Sequence, residues 1–216
     1  MCLQATGDAM KTTNNYAIQM QQAKKHFLTY DQETLIRKLG MKADSHYLYG
    51  VLFRQTYRIC RTTGDTERWE IDRWVDGNSF SEVMTLLDLI CDSREDRFVS
   101  GRWKNMGDFG LMFHQNLLEN GHNPWAVLFQ EHTEAFQRAC EALSGEPVAY
   151  GDVAYCIEVF DGLPVMLQLW LGDDEFPPSL RLLWDENALM YLRYETMYYA
   201  RGLLMERLKE KMDCSF

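Results

Sequence analysis

The chain is short of the features that announce common chemistries. Its six cysteines, Cys2, Cys60, Cys91, Cys140, Cys156 and Cys214, include no Cys-x-x-Cys pair. That spacing argues against zinc-ribbon, ferredoxin and thioredoxin-type sites. His26, His46, His114, His122 and His132 show no His-x-x-x-His ligand spacing, and there is no Gly-x-Ser-x-Gly elbow, phosphate-binding glycine loop or Gly-x-Gly-x-x-Gly turn. Apolar runs fall well short of the roughly 18 residues a membrane span needs. Met1–Asp8 lacks the basic start and apolar block of a secretory signal. Positive charge is also scarce: the net charge is −10, which disfavours nucleic acid as a partner. With an apolar fraction of 46%, the composition predicts a soluble cytoplasmic protein with free thiols and a sizeable core.

No repeat or linker divides the 216 residues, so one domain is expected over 14–212, after a loose segment at 1–13. Helical spacing of Tyr16, Met20, Ala23 and Phe27 predicts a helix capped at Asn14–Asn15. A second helix is expected over Asp31–Leu39, stopped by Gly40. Strand-type sequence follows at 47–53 and 56–60, and the alternation Trp69-Glu70-Ile71-Asp72-Arg73-Trp74 reads as one half-exposed strand. Ser79 with Glu82 forms a capping box for an amphipathic helix to Cys91. One long helix is expected from Trp125 to Leu143, and another from Asp185 to near Lys211. The class is α+β: an antiparallel sheet with a central β-hairpin at about 152–171, covered by helices, and a long C-terminal helix.

Asp161-Gly162 is a two-residue hairpin turn of the kind that needs positive φ at both positions. Pairing Phe160 with Leu163 sets Ile157 against Met166 and Asp152 against Leu171. Asp152 is thereby expected near Asp173, Asp174 and Glu175, a mouth of carboxylates in a chain segment, 150–190, whose acids outnumber Arg181. Such a mouth can hold a divalent metal through oxygen ligands, bind a basic partner, or simply build the turn. No other cofactor is evident, and there is no iron–sulfur motif. Arg94, Arg97, Arg102 and Lys104, with Trp103, form an anion-binding candidate diluted by Glu95, Asp96 and Asp108. On the C-terminal helix, Tyr191, Tyr194 and Tyr198 share a spacing that suits packing or a ring-lined pocket. Glu195 among them is either an inward acid–base group or a partner of Arg193 or Arg201.

Gly151-Asp152-Val153-Ala154, the run Leu169-Trp170-Leu171-Gly172-Asp173-Asp174-Glu175-Phe176-Pro177, Leu182-Leu183-Trp184-Asp185 and Leu192-Arg193-Tyr194-Glu195 resemble the domain-of-unknown-function 3786 family. The likeness is close over 148–208 and looser over Leu86–Trp103. It implies kinship with proteins found mainly in anaerobic bacteria and archaea. Some of these carry an added cysteine-rich iron–sulfur segment that this chain lacks, and no activity is established for the family. Two functions are therefore carried forward: a cytoplasmic non-enzymatic binding protein recognising a small ligand or partner protein, and a divalent-metal-dependent hydrolase or transferase using the acidic mouth.

Overall fold

The computed structural model describes residues 4–77, 79–110 and 123–213. Helix α1 (Gln4–Phe27) runs through Asn14–Asn15 instead of starting there. The backbone is helical from Gln4, in a stretch where Ala5, Ala9, Met10 and Lys11 are good helix formers. Helix α2 (Gln32–Leu39) has Asp31 at its N-cap, and Gly40 closes it with a left-handed φ of 59°. Strands β1 (Lys42–Ala43), β2 (Tyr47–Leu52), β3 (Gln55–Cys60), β4 (Thr66–Glu70) and β5 (Arg73–Asp76) then form an antiparallel sheet in sequence order.

The expected strand over 69–74 is a hairpin instead. Trp69 pairs with Trp74 and Glu70 with Arg73, leaving Ile71 and Asp72 as the turn. A tight hairpin preserves the alternation across its two strands, so the pattern does not reveal the reversal. Ile71 sits there at φ 54° and is 99% exposed, an unusual position for a β-branched residue.

Helix α3 (Phe80–Asp92) carries the expected capping box: Glu82 N–H donates to Ser79 Oγ, and Ser79 N–H donates to the Glu82 carboxylate. The sequence suggested one sheet, but a second five-stranded antiparallel sheet holds the hairpin. It comprises β6 (Trp103–Asn105), β7 (Glu146–Pro147), β8 (Val153–Phe160), β9 (Leu163–Trp170) and β10 (Ser179–Asp185), in the order β6-β10-β9-β8-β7. The hairpin is central as expected, with both faces of β8 and β9 largely buried. Asp161 and Gly162 take φ of 48° and 79°.

The register departs from the simple alternation. A bulge between Glu158 and Phe160 moves the partners by one residue, so Ile157 faces Val165 and Cys156 faces Met166. Pro164, opposite Glu158, has no N–H for a regular ladder. The carbonyl of Val159 accepts instead from the N–H of Phe53, at 2.9 Å, which ties the turn of the first sheet to the second.

The helix expected at 125–143 is broken into α4 (Pro124–Glu131) and α5 (Thr133–Ala142) at His132, where ψ is 45°. Thr133 Oγ1 donates to the Gln130 carbonyl, and the side chain of Gln130 accepts from Gly172 N–H at 2.5 Å, on the loop leaving β9. Asp185 closes β10 rather than opening the last helix. Helix α6 (Tyr194–Asp213) begins after a short 3₁₀ turn at Ala188–Met190. It packs on α3 and α5, and α1 packs on α3. One continuous core runs from Phe27 to Met212, so the two sheets belong to a single α+β domain. No helix among the described residues is long and apolar enough to cross a membrane.

Candidate functional site

Two of the four carboxylates at the hairpin mouth, Asp152 and Asp173, turn toward nearby backbone N–H groups. Asp152 accepts from Leu171 N–H at 2.8 Å. Asp173 accepts from the N–H groups of Glu175 and Phe176, both at 2.8 Å. Those two bonds hold its carboxyl below the usual range. Asp174 and Glu175 have no ion-pair partner among the described residues. Trp170, Leu171 and Phe176 are exposed around them. Asp152 thus does lie beside the emerging strand. Among the described residues, however, no group of three or more His, Cys, Asp or Glu side chains is placed to hold a metal ion.

The arginines of the 94–110 stretch are engaged separately. Arg94 forms a two-pronged pair with Asp96, at 2.8 and 2.7 Å. Arg97 Nε donates to Asp161 at 2.6 Å, across to the hairpin tip, and Arg102 pairs with Glu186. Lys104 lies 5.8 Å from the Phe109 ring centre, and Trp103 starts β6 opposite Asp185. These positive groups are distributed along a seam instead of converging on one anion. The seam is anchored by Asp185, fully buried, whose carboxylate accepts from Gly101 N–H at 2.8 Å, Ser100 N–H at 3.0 Å and Asn187 N–H at 2.9 Å.

Of the tyrosines, Tyr191 and Tyr194 are buried, and Tyr194 meets Tyr198 edge-on with ring centres 5.6 Å apart. They serve packing. Glu195 is exposed and does not pair with Arg193, whose guanidinium reaches Asp92 instead, with Nη2 to Oδ1 at 2.9 Å and Nε to Oδ2 at 2.8 Å.

Glu195 nevertheless borders a concave site. A cleft of about 410 Å³ opens between α1, α3 and the start of α6, lined by Gln19, Gln22 and His26, by Met84 and Asp88, and by Arg193, Glu195 and Tyr199, with Ala23 in the wall. Helical geometry builds it. Gln19, Gln22, Ala23 and His26 share one face of α1 at three- and four-residue spacings, as do Met84 and Asp88 on α3. Asp88 is 8% exposed, and Thr196 Oγ1 donates to its Oδ2 at 2.7 Å. Burial pushes the Asp88 carboxyl up, and the Thr196 bond only partly offsets this. Burial also raises the Tyr199 hydroxyl, assisted by the charges of Asp88 and Glu195. His26 Nε2 lies 3.2 Å from Tyr30 Oη.

Sequence reasoning found Glu195 and missed Asp88. Its trace was visible as one carboxylate within the apolar run Leu86-Leu87-Asp88-Leu89-Ile90, which marks either a cap or a buried polar group.

The four described cysteines are free thiols. Cys60 differs from the others: hydrogen bonds from Thr62 and Thr63 bring its thiol down to about 7, whereas burial pushes Cys91 up to about 12 and also raises Cys140 and Cys156. Because the thiolate is the reacting form, brief iodoacetamide treatment at neutral pH is expected to alkylate Cys60 well before Cys91, Cys140 or Cys156. Peptide mass spectrometry reads this order, and equal labelling of the four would contradict it.

Comparison with known proteins adds one finding. No curated protein and no solved structure matches the chain. A family model described as "Domain of unknown function (DUF3786)" matches residues 31–207. The match takes in α2 and the whole first sheet, well beyond the C-terminal segments whose motifs carried the resemblance. The chain belongs to this DUF3786 family.

Proposed function

We propose that the protein is a cytoplasmic, non-enzymatic binding protein that takes a small polar ligand in the cleft between α1, α3 and α6. The observation that carries this reading is Asp88, a desolvated carboxylate on the wall of a cleft of ligand size. Burying a carboxylate without full hydrogen bonding is costly, and a polar ligand would offset part of that cost. Binding is favoured over catalysis because the neighbouring charged groups already have partners: Arg193 holds Asp92, and the His26 ring meets Tyr30. The free thiols support a reducing compartment.

Filling the cleft tests the reading. A thermal-shift screen of small polar metabolites on the wild-type chain is expected to yield stabilising compounds that lose their effect on Ala23→Trp. Hits that persist on Ala23→Trp, or a screen without hits, would overturn it.

A further inference from the structure

We propose that the ligand of this cleft is a small organic amine, its ammonium received by Asp88 with Glu195 nearby and its carbon chain laid against Ala23, Met84 and Tyr199. This inference rests on the cleft being the ligand site. Three observations point to a cation. First, Asp88 is 8% exposed, and Thr196 donates to one of its oxygens. No described residue donates to Oδ1, and the side chain lines the cleft. A carboxylate oxygen without a donor, on a largely buried residue that lines the cleft, is a strong acceptor for a charged N–H donor.

Second, the charges around the cleft are unbalanced. Asp88 and Glu195 line it against Arg193, and the Arg193 guanidinium is held by both oxygens of Asp92. An anionic ligand would have to break that pair and approach the carboxylates, whereas an ammonium meets them directly. Tyr199 lines the cleft together with both carboxylates. Third, the remaining wall suits a short alkyl amine. Ala23, Met84 and the Tyr199 ring offer apolar and aromatic surface, and an aromatic face also favours a neighbouring cation. Gln19 and Gln22 at the rim supply side-chain carbonyls that can accept from a second amino group.

Three probes with the same four-carbon chain separate the possibilities: 1,4-diaminobutane, butane-1,4-diol and succinate. Each is titrated calorimetrically into the wild-type protein at ~0.15 M salt, where long-range attraction to a net negative surface is screened. The diamine is expected to bind and the other two are not. Asp88→Asn, which keeps the acceptor for Thr196, should weaken diamine binding at least about tenfold. Glu195→Gln, at an exposed position with little bearing on folding, should weaken it about threefold. Asp174→Asn, at an exposed carboxylate that does not line the cleft, should leave it unchanged.

Diol binding as tight as diamine binding, or succinate binding in its place, would overturn the amine inference and leave the cleft as a ligand site. Diamine binding untouched by both Asp88→Asn and Glu195→Gln, or weakened equally by Asp174→Asn, would overturn it as non-specific attraction. Failure of the diamine to bind at all overturns it too. The cleft reading itself then stands or falls on the separate Ala23→Trp screen.

Discussion

Glu82→Ala is expected to cost about 3 kcal/mol of stability, because it leaves the buried Arg207 with only the half-exposed Glu210 as a carboxylate partner. Glu82 and Arg207 are 1% and 4% exposed and form an ion pair. Tyr57 Oη and Arg68 Nη1 each donate to the same carboxylate oxygen at 2.9 Å, and Arg207 also donates to Tyr57 Oη at 2.7 Å. The cluster joins β3, β4, the start of α3 and the far end of α6, so one substitution loosens the first sheet from the C-terminal helix. Replacing the pair together, as Glu82→Leu with Arg207→Met, is expected to cost less than Glu82→Ala alone, since no buried charge is left unpaired: Arg68 keeps Glu70 and Glu210 is half-exposed. Urea unfolding measures both, and a loss below about 1 kcal/mol for Glu82→Ala would contradict the account.

The same cluster predicts a pH dependence. Burial alone would raise the Glu82 carboxyl, but Arg68 and Arg207 outweigh it and hold the group below the ordinary glutamate value. A folded-state pKa lower than the unfolded one stabilises the protein above the unfolded value and loses that contribution as pH falls through the folded value. The stability gap between wild type and a Glu82→Gln variant should therefore narrow below about pH 4.

Asp185→Asn is the second large effect expected, at about 2–4 kcal/mol. The buried carboxylate accepts from the N–H groups of Ser100, Gly101 and Asn187. An amide can accept through one oxygen only and would turn its NH₂ toward remaining donors. Because these bonds pin the segment before β6 to the end of β10, hydrogen exchange at Ser100 and Gly101 should accelerate more than exchange in β9. Unchanged protection at those amides would show that Asp185 does not anchor the seam.

What the residues disclosed in advance follows the range of the physics involved. The α2 ends, the Ser79–Glu82 capping box and the Asp161–Gly162 turn are decided within four residues, so all were legible. The bulge at Val159 was not, because its carbonyl partner, the Phe53 N–H, lies in another sheet. The Ile71 turn carries no glycine or asparagine to mark it. Asp185 reads locally as a helix cap, and two of its three backbone donors, Gly101 and Ser100, sit 84 and 85 residues away. The candidate site divides the same way. Glu195 could be singled out within its own helix, whereas Asp88 gains meaning only when α1 and α6 close over α3. The acidic mouth looked richest because its carboxylates adjoin in sequence, yet Asp152 and Asp173 are taken up by nearby N–H groups.

The central claim is that the cleft beside Asp88 is where this protein meets its ligand, and Met84 gives it a direct reporter. In protein labelled with ¹³C at methionine methyls, the Met84 signal is identified by its loss in Met84→Leu. Titration with 1,4-diaminobutane is expected to shift that signal saturably, while the buried methyls of Met166 and Met205, away from the cleft, stay in place. A saturable shift at those buried methyls with Met84 unmoved would contradict the claim.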